Sequence, residues 1–187
     1  SSKYKISELR RNYSFSKLRR NSLNDDPYKQ FESWFNEIIH EKVLEPNAMV
    51  LGTSNGQRPS SRTVLLKSFN SKGFVFFTNY KSKKANDISL NNNVSLLFPW
   101  YSLERQVIIQ GTAVKTSQKE SHEYFQSRPR NSQLAALASE QSQVINSRKI
   151  LEEELENKEK IYKGRDLQLP INWGGYRVIA NEFEFWQ

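Results

Sequence analysis

The sequence predicts an α+β fold, an antiparallel β-barrel with flanking helices, as a single domain over residues 1–187. Three observations carry this. Strand-like segments cluster between Ala48 and Lys115, helical ones follow between Gln118 and Lys163, and strand-like segments return to close the chain. No repeat or low-complexity linker divides it, and 187 residues are enough for one core.

Residues 1–26 form a basic arm, where Lys3, Lys5, Arg10, Arg11, Lys17, Arg19 and Arg20 supply part of a net charge of +8. Asp25-Asp26-Pro27 starts a helix, with an acidic cap and proline at the first helical position. Phe31, Trp34, Phe35, Ile38 and Ile39 then recur at helical spacing to about Lys42, as a core-packing stripe. Strands are expected at Ala48 to Ser54, Arg62 to Phe69 and Phe74 to Asn79, with turns at Asn55-Gly56 and Lys72-Gly73. Ser82 to Leu90 reads as a short helix, and Val94 to Trp100 and Arg105 to Lys115 as strands. A helix from Gln118 to Arg128 stops because Pro129 pushes its predecessor out of the α region. Ser132 reads as the N-cap of a helix from Gln133 to Ser139. Val144 to Lys163 is a charged helix with Ile150, Leu151, Leu155 and Ile161 as its packing stripe and Gly164 as its stop. Gly175 to Ala180 and Glu182 to Gln187 are two closing strands.

Several chemistries drop out. There is no cysteine, His40 and His122 are isolated, and neither HExxH nor a carboxylate cluster occurs, so no metal site is assigned. No GxSxG, no Ser-His pair, no dinucleotide fingerprint and no Walker loop is present among the seven glycines. No apolar run approaches the roughly 18 residues of a membrane span, so a soluble, intracellular (cytoplasmic) protein is expected. The chain opens without Met and stops on a strand-like run, so both ends are expected to continue. Its positive charge leaves nucleic acid, an anionic membrane or small phosphorylated ligands as candidate partners.

Phosphate chemistry is what remains. Arg62-Thr63-Val64-Leu65-Leu66-Lys67 is an apolar strand with a cation at each end, and such charges need a partner. The Ser82-Lys83-Lys84 turn adds two more. Tyr124 and Arg128 share a helix face, and Ser132 follows at the next helix start, where free N–H groups favour an anion. A strand period of two sends Arg62 and Lys67 to opposite faces, to serve different ligands or opposite sides of one crevice. Two phosphate sites without acid, base or metal apparatus point to a bound cofactor that does the chemistry.

Seven segments in order then resemble pyridoxine/pyridoxamine 5′-phosphate oxidases. They are Arg62 to Lys67, Phe77-Thr78-Asn79 with Ser82-Lys83-Lys84, Leu97 to Trp100, Glu104-Arg105-Gln106-Val107, Tyr124 to Gln133, Trp173 to Arg177, and Glu184 to Gln187. The likeness begins at Arg10-Arg11-Asn12-Tyr13 and covers nearly the whole chain. It implies an FMN-binding split β-barrel working as a homodimer, with FMN at the interface. It implies oxidation of pyridoxamine or pyridoxine 5′-phosphate to pyridoxal 5′-phosphate, with O2 as acceptor and H2O2 as by-product. By motif position Arg62, Lys83 and Lys84 hold the FMN phosphate. Thr63, Val64, Leu65, Leu66, Lys67, Phe77 and Thr78 line the flavin, and Gln106, Gln141, Ser142 and Trp186 complete the pocket, some from the partner subunit. Lys67, Tyr124, Arg128 and Ser132 hold the substrate phosphate, and Arg10, Arg11, Asn12 and Tyr13 close over the substrate. No catalytic residue beyond positioning is assigned.

Three departures accompany the resemblance. Phe77 stands where the family often has Tyr, and Lys83 where Arg is frequent, a point charge in place of a fork. The family's closing Arg-Leu-His-Asp-Arg segment is absent from a sequence that ends at Gln187, and a further tail is expected in preference to an inactive protein. Two competing readings stay open: a non-catalytic flavin- or pyridoxal-phosphate-binding barrel, and a nucleic-acid binder using the basic arm.

Overall fold

The computed structural model describes residues 5–9, 12–14, 17–138, 141–142 and 144–187. Helix α1 (Pro27–His40) begins where expected: Asp26 accepts the Tyr28 N–H at 2.9 Å and Pro27 occupies the first turn. Strand β1 (Ala48–Ser54) turns into β2 (Pro59–Leu65) through Asn55, whose side-chain oxygen accepts the N–H groups of Gln57 and Arg58. Then follow β3 (Ser68–Asn70), β4 (Gly73–Asn79), α2 (Lys83–Leu90), β5 (Asn93–Trp100) and β6 (Arg105–Lys115). Helices α3 (Gln118–Ser127), α4 (Arg130–Ala138) and α5 (Arg148–Ile161) precede the long β7 (Trp173–Trp186).

The seven strands form one antiparallel sheet in the order β2-β1-β5-β6-β7-β4-β3. Its two end strands, β2 and β3, are consecutive in sequence. The expected single strand from Arg62 to Phe69 is therefore two strands, broken at Leu66-Lys67. There the Leu66 N–H donates to Asn47 O at 2.9 Å, on the β1 side. The next N–H, that of Lys67, donates to Val75 O in β4 at 2.8 Å. Successive N–H groups of an extended chain point opposite ways, so these two residues tie both margins of the sheet together. Beyond the tie β2 keeps one unpaired edge, and β3 covers β4 only as far as Val75. The barrel is split between them.

The closing strands are likewise one. β7 pairs with β4 through its first half and with β6 along most of its length, with a bulge where Glu182 faces Gln110 but Ala180 faces Gly111. Asn181 is the extra residue, and it exchanges the faces of the strand. Tyr176 and Val178 point inward before it, Phe183 and Phe185 after it. Gly111 is needed opposite, because a Cβ there would collide with the Ile179 carbonyl.

Two expectations about helices are corrected. Pro129 O accepts the N–H groups of Ser132 and Gln133, so α4 starts at Arg130 and Ser132 lies in its first turn, not at its cap. The expected last residue of that helix, Ser139, lies outside the described residues. Helix α5 is shorter than expected, and its stripe of Ile150, Leu151, Leu155 and Ile161 stays 36–50% exposed because α5 lies on the surface with no buried residue.

Helix α1 fills the barrel. Phe31, fully buried, contacts the rings of Phe35, Phe69, Phe74, Phe98 and Trp100 at centroid distances of 4.9–5.7 Å. Trp34 and Ile38 continue the stripe inward, while Ile39 ends near its margin, 46% exposed. Arg105 covers Trp34 with its guanidinium 4.4 Å from the ring and pairs with Glu37 at 2.6 Å. A second cluster of Phe125, Leu134, Leu167 and Trp173 binds α3 and α4 to the start of β7. Phe31→Ala is expected to lower stability by about 3–5 kcal/mol in urea unfolding. A loss below about 1 kcal/mol would mean that α1 is not the barrel's filling.

Candidate functional site

The split opens into a cleft of about 970 Å³. β2 from Ser60 to Leu65 forms one wall, the end of β4 (Phe77, Thr78, Asn79) and the start of α2 form the floor, and the α3–α4 junction forms the opposite wall. Arg62, Lys67, Lys83, Lys84 and Arg128 all line it, and no carboxylate does among the described residues. Such a cavity favours an anion.

One set of cations sits at β2 and α2. Ser82 caps α2 by accepting the Ala85 N–H at 3.4 Å, which directs the helix start at the cleft. Lys84 is only 6% exposed, with its ammonium donating to Thr78 Oγ1 at 3.1 Å. Burial and then the neighbouring Arg62 charge bring its pKa down to about 8. Thr78 in turn donates to Gln141 Oε1 at 3.0 Å, which brings Gln141 and Ser142 to the same end. Arg62 donates from Nη1 to Leu51 O at 3.0 Å and to Thr53 Oγ1 at 2.7 Å, and from Nη2 to Ser60 Oγ. Behind it stands Asp87, 3% exposed, which accepts from Thr53 and Ser60 at 2.7 Å each and from Lys83 at 3.0 Å.

The second set is mounted on aromatic rings. Phe77 stacks on Tyr124 with centroids 3.9 Å apart and on Trp173 at 5.5 Å, the three rings lying within 17° of parallel. Lys67 Nζ stands 5.9 Å from the Tyr124 centroid, and the Arg128 guanidinium lies 4.8 Å from that of Trp173. Arg128 follows α3 with extended backbone, and Gln133 locks the junction by donating to Phe125 O at 2.8 Å and Gln126 O at 3.2 Å. Arg128 Nη1 is buried with no hydrogen-bond partner. Arg177 Nη1 is in the same condition away from this cleft, so it is the place of the Arg128 side chain in the cleft lining, beside Lys67, that fits an anion.

The expected site residues divide as follows. Arg62, Thr63, Val64, Leu65, Lys67, Phe77, Thr78, Lys83, Lys84, Tyr124, Arg128, Ser132, Gln141 and Ser142 line one cleft. Arg62 and Lys67 line one and the same cleft, which runs along the edge of β2. Leu66 does not join them: its side chain is 4% exposed in the core, its N–H goes to Asn47 O, and its carbonyl accepts from Asn47 Nδ2. Gln106 and Trp186 face each other across β6 and β7 and line a separate cleft of about 430 Å³ with Tyr13. Tyr13 meets Trp186 edge-on at 5.7 Å, and Ser14 N–H donates to Glu104 at 2.8 Å. Asn12 is exposed, and Arg10 and Arg11 lie outside the described residues. Thr53, Ser60, Asp87 and Trp173 were not assigned roles from sequence. The i,i+4 spacing of Lys83 and Asp87 is a local signal for Asp87, and Trp173 opens one of the segments of the resemblance.

Curled sheet, split and cleft define the split-barrel class of FMN-binding folds. The solved structure of PhzG from Burkholderia lata 383, in complex with tetrahydrophenazine-1-carboxylic acid, superposes with a TM-score of 0.84 at 26% identity, covering 91% of this chain and 85% of that one. A pyridoxamine 5′-phosphate oxidase-related, FMN-binding protein from Nostoc punctiforme PCC 73102 has the same fold at a TM-score of 0.68 and 12% identity, covering 87% of this chain and 86% of that one. The pyridoxamine 5′-phosphate oxidase family model matches residues 35–161. Pyridoxine/pyridoxamine 5′-phosphate oxidase of Prochlorococcus marinus (strain MIT 9303) is 53% identical over 97% of this chain and 82% of its own length. That of Rippkaea orientalis is 52% identical over 97% of this chain and 86% of its own. The chain belongs to the pyridoxine/pyridoxamine 5′-phosphate oxidase family.

Lys84 makes the anion site sensitive to pH. It is protonated below about 8 and loses its charge above, so affinity for inorganic phosphate should fall between pH 8 and 9.5. Calorimetric titration across that range should show the decline, and Lys84→Met should abolish it. A flat wild-type profile would show that the Lys84 charge takes no part.

Proposed function

We propose that this chain is the FMN-dependent oxidase that converts pyridoxamine or pyridoxine 5′-phosphate to pyridoxal 5′-phosphate, with O2 as acceptor and H2O2 as product. The observation that carries the reading is one cleft bearing two separately mounted sets of cations, one at β2 and α2 and the other seated on the Tyr124 and Trp173 rings. A phosphorylated cofactor and a phosphorylated substrate require such a pair.

Arg62, Lys83 and Lys84 would hold the FMN phosphate at the start of α2, where the helix dipole adds to their charge. The open edge of β2 over Thr63 to Leu65, with Thr78, Gln141 and Ser142, would lie along the flavin. Lys67, Tyr124, Arg128 and Ser132 would take the substrate phosphate. Bound FMN supplies the redox chemistry, carrying two electrons from the substrate to O2. The protein's part is orientation, and holding both partners by their phosphates makes transfer effectively unimolecular.

The reading also calls for a homodimer. Gln106 and Trp186 stand on a cleft of their own, so under this reading they would serve the flavin pocket of a partner subunit. A cytoplasmic setting accords with a chain that has no cysteine to oxidise. Among the described residues no helix is long and apolar enough to cross a membrane.

Purified protein should carry flavin absorbance, or acquire it with FMN, and release peroxide with pyridoxamine 5′-phosphate under air. Protein that stays colourless with added FMN would overturn the proposal. Flavin without peroxide would leave a binding protein. Lys67→Ala and Arg128→Ala should each raise KM about tenfold or more while FMN affinity changes little, whereas Arg62→Ala should lose FMN. Equal flavin loss in all three variants would contradict the two-phosphate assignment.

A further inference from the structure

Arg62 is not held by a direct fork-to-fork ion pair. Its Nη2 is 3.7 Å from Asp87 Oδ2, too far for a hydrogen bond, and two hydroxyls lie between them. Their proton arrangement is determined. Arginine can only donate and a carboxylate can only accept, so Thr53 and Ser60 each accept from Arg62 and give their one proton to Asp87. With the bond to Leu51 O, three of the five guanidinium N–H groups are committed to the protein. The remaining two have no partner among the described residues, and Arg62 lines the cleft. The same carboxylate accepts from Lys83 one helical turn earlier.

We propose that Asp87 is a positioning residue for the phosphate end of the cleft, fixing through Thr53 and Ser60 which N–H groups Arg62 presents, and tethering Lys83. This rests on the reading that Arg62, Lys83 and Lys84 receive the FMN phosphate. Its ionised state is secured: burial alone would raise its pKa, but hydrogen bonds from Ser60, Thr53 and Lys83 outweigh that and hold it below the usual carboxylate value. Three cations against this one carboxylate leave two positive charges, matched to a phosphate monoester of roughly −1.5 to −2 at pH 7.

The proposal makes a prediction opposite in sign to simple charge counting. Removing an acid from behind an anion site should tighten phosphate binding if Asp87 is only a counter-charge. If it positions Arg62, Asp87→Asn should weaken FMN, because an amide turns a donor towards one of the groups that now donates to the carboxylate. The test is fluorescence titration of apoprotein with FMN and with riboflavin, which lacks the phosphate. Asp87→Asn should raise the Kd for FMN about tenfold and leave that for riboflavin unchanged. Ser60→Ala, which cuts one relay while keeping the carboxylate, should act in the same direction but less, and guards against a misfolded Asp87 variant. Tighter or unchanged FMN binding in Asp87→Asn, or equal weakening of FMN and riboflavin, overturns the proposal. Wild-type protein that binds FMN no better than riboflavin overturns the phosphate reading itself, and the proposal with it.

Discussion

Two adjacent backbone N–H groups close this molecule. Leu66 bonds towards β1 and Lys67 towards β4, so the ends of a seven-stranded sheet are joined by consecutive residues. Everything at the site follows from where that tie stops. Below it α1 fills the barrel with Phe31, Trp34 and Ile38. Beyond it two strand edges stay unpaired, and an unpaired edge is costly unless covered. Here the gap is bordered by cations, hydroxyls and helix starts, so backbone groups that would invite another strand instead face a polar cleft.

The two halves of that cleft are made rigid by different means. At α2 a network of hydroxyls and one buried carboxylate fixes Arg62 and Lys83. Across from it three near-parallel rings seat Lys67 and Arg128 with no carboxylate partner among the described residues, and Arg128 Nη1 has no hydrogen-bond partner among them. Cations on apolar supports retain their full appetite for an anion, whereas those paired with carboxylates have part of it met. The tightly networked end suits a cofactor that stays, and the ring-mounted end suits a substrate that comes and goes.

Much of this was legible in the sequence, and the limits have physical causes. Strand ends, helix caps and the cation positions are local chemistry: Asp26 caps its helix as expected, and α2 starts within one residue of the expected Ser82. The break at Leu66-Lys67 was not legible, because an unbroken run of good strand formers conceals a change of pairing partner. Asp87 was not legible as part of the site because its role depends on Thr53 and Ser60, which come from different strands. Nor could spacing show that Gln106 and Trp186 stand apart from the cations, since motif order says nothing about which surface a residue occupies. Ser132 was placed one turn too early in its helix because the Pro129 carbonyl, not a side chain, starts that helix.

The bulge at Asn181 sets the phase of the last strand. Before it even-numbered residues face the interior, and after it odd-numbered ones do. A strand that counted Asn181 as an ordinary ladder residue, with no bulge, would keep every amino acid of β7 yet turn Glu182 and Glu184 to the aromatic interior and Phe183 and Phe185 to water. Trp186 would swing inward with the glutamates, away from Tyr13 and the second cleft. Here the meaning of the terminal residues is positional, like words after a shifted reading frame. In this strand a shift in count would do more harm than most changes of identity.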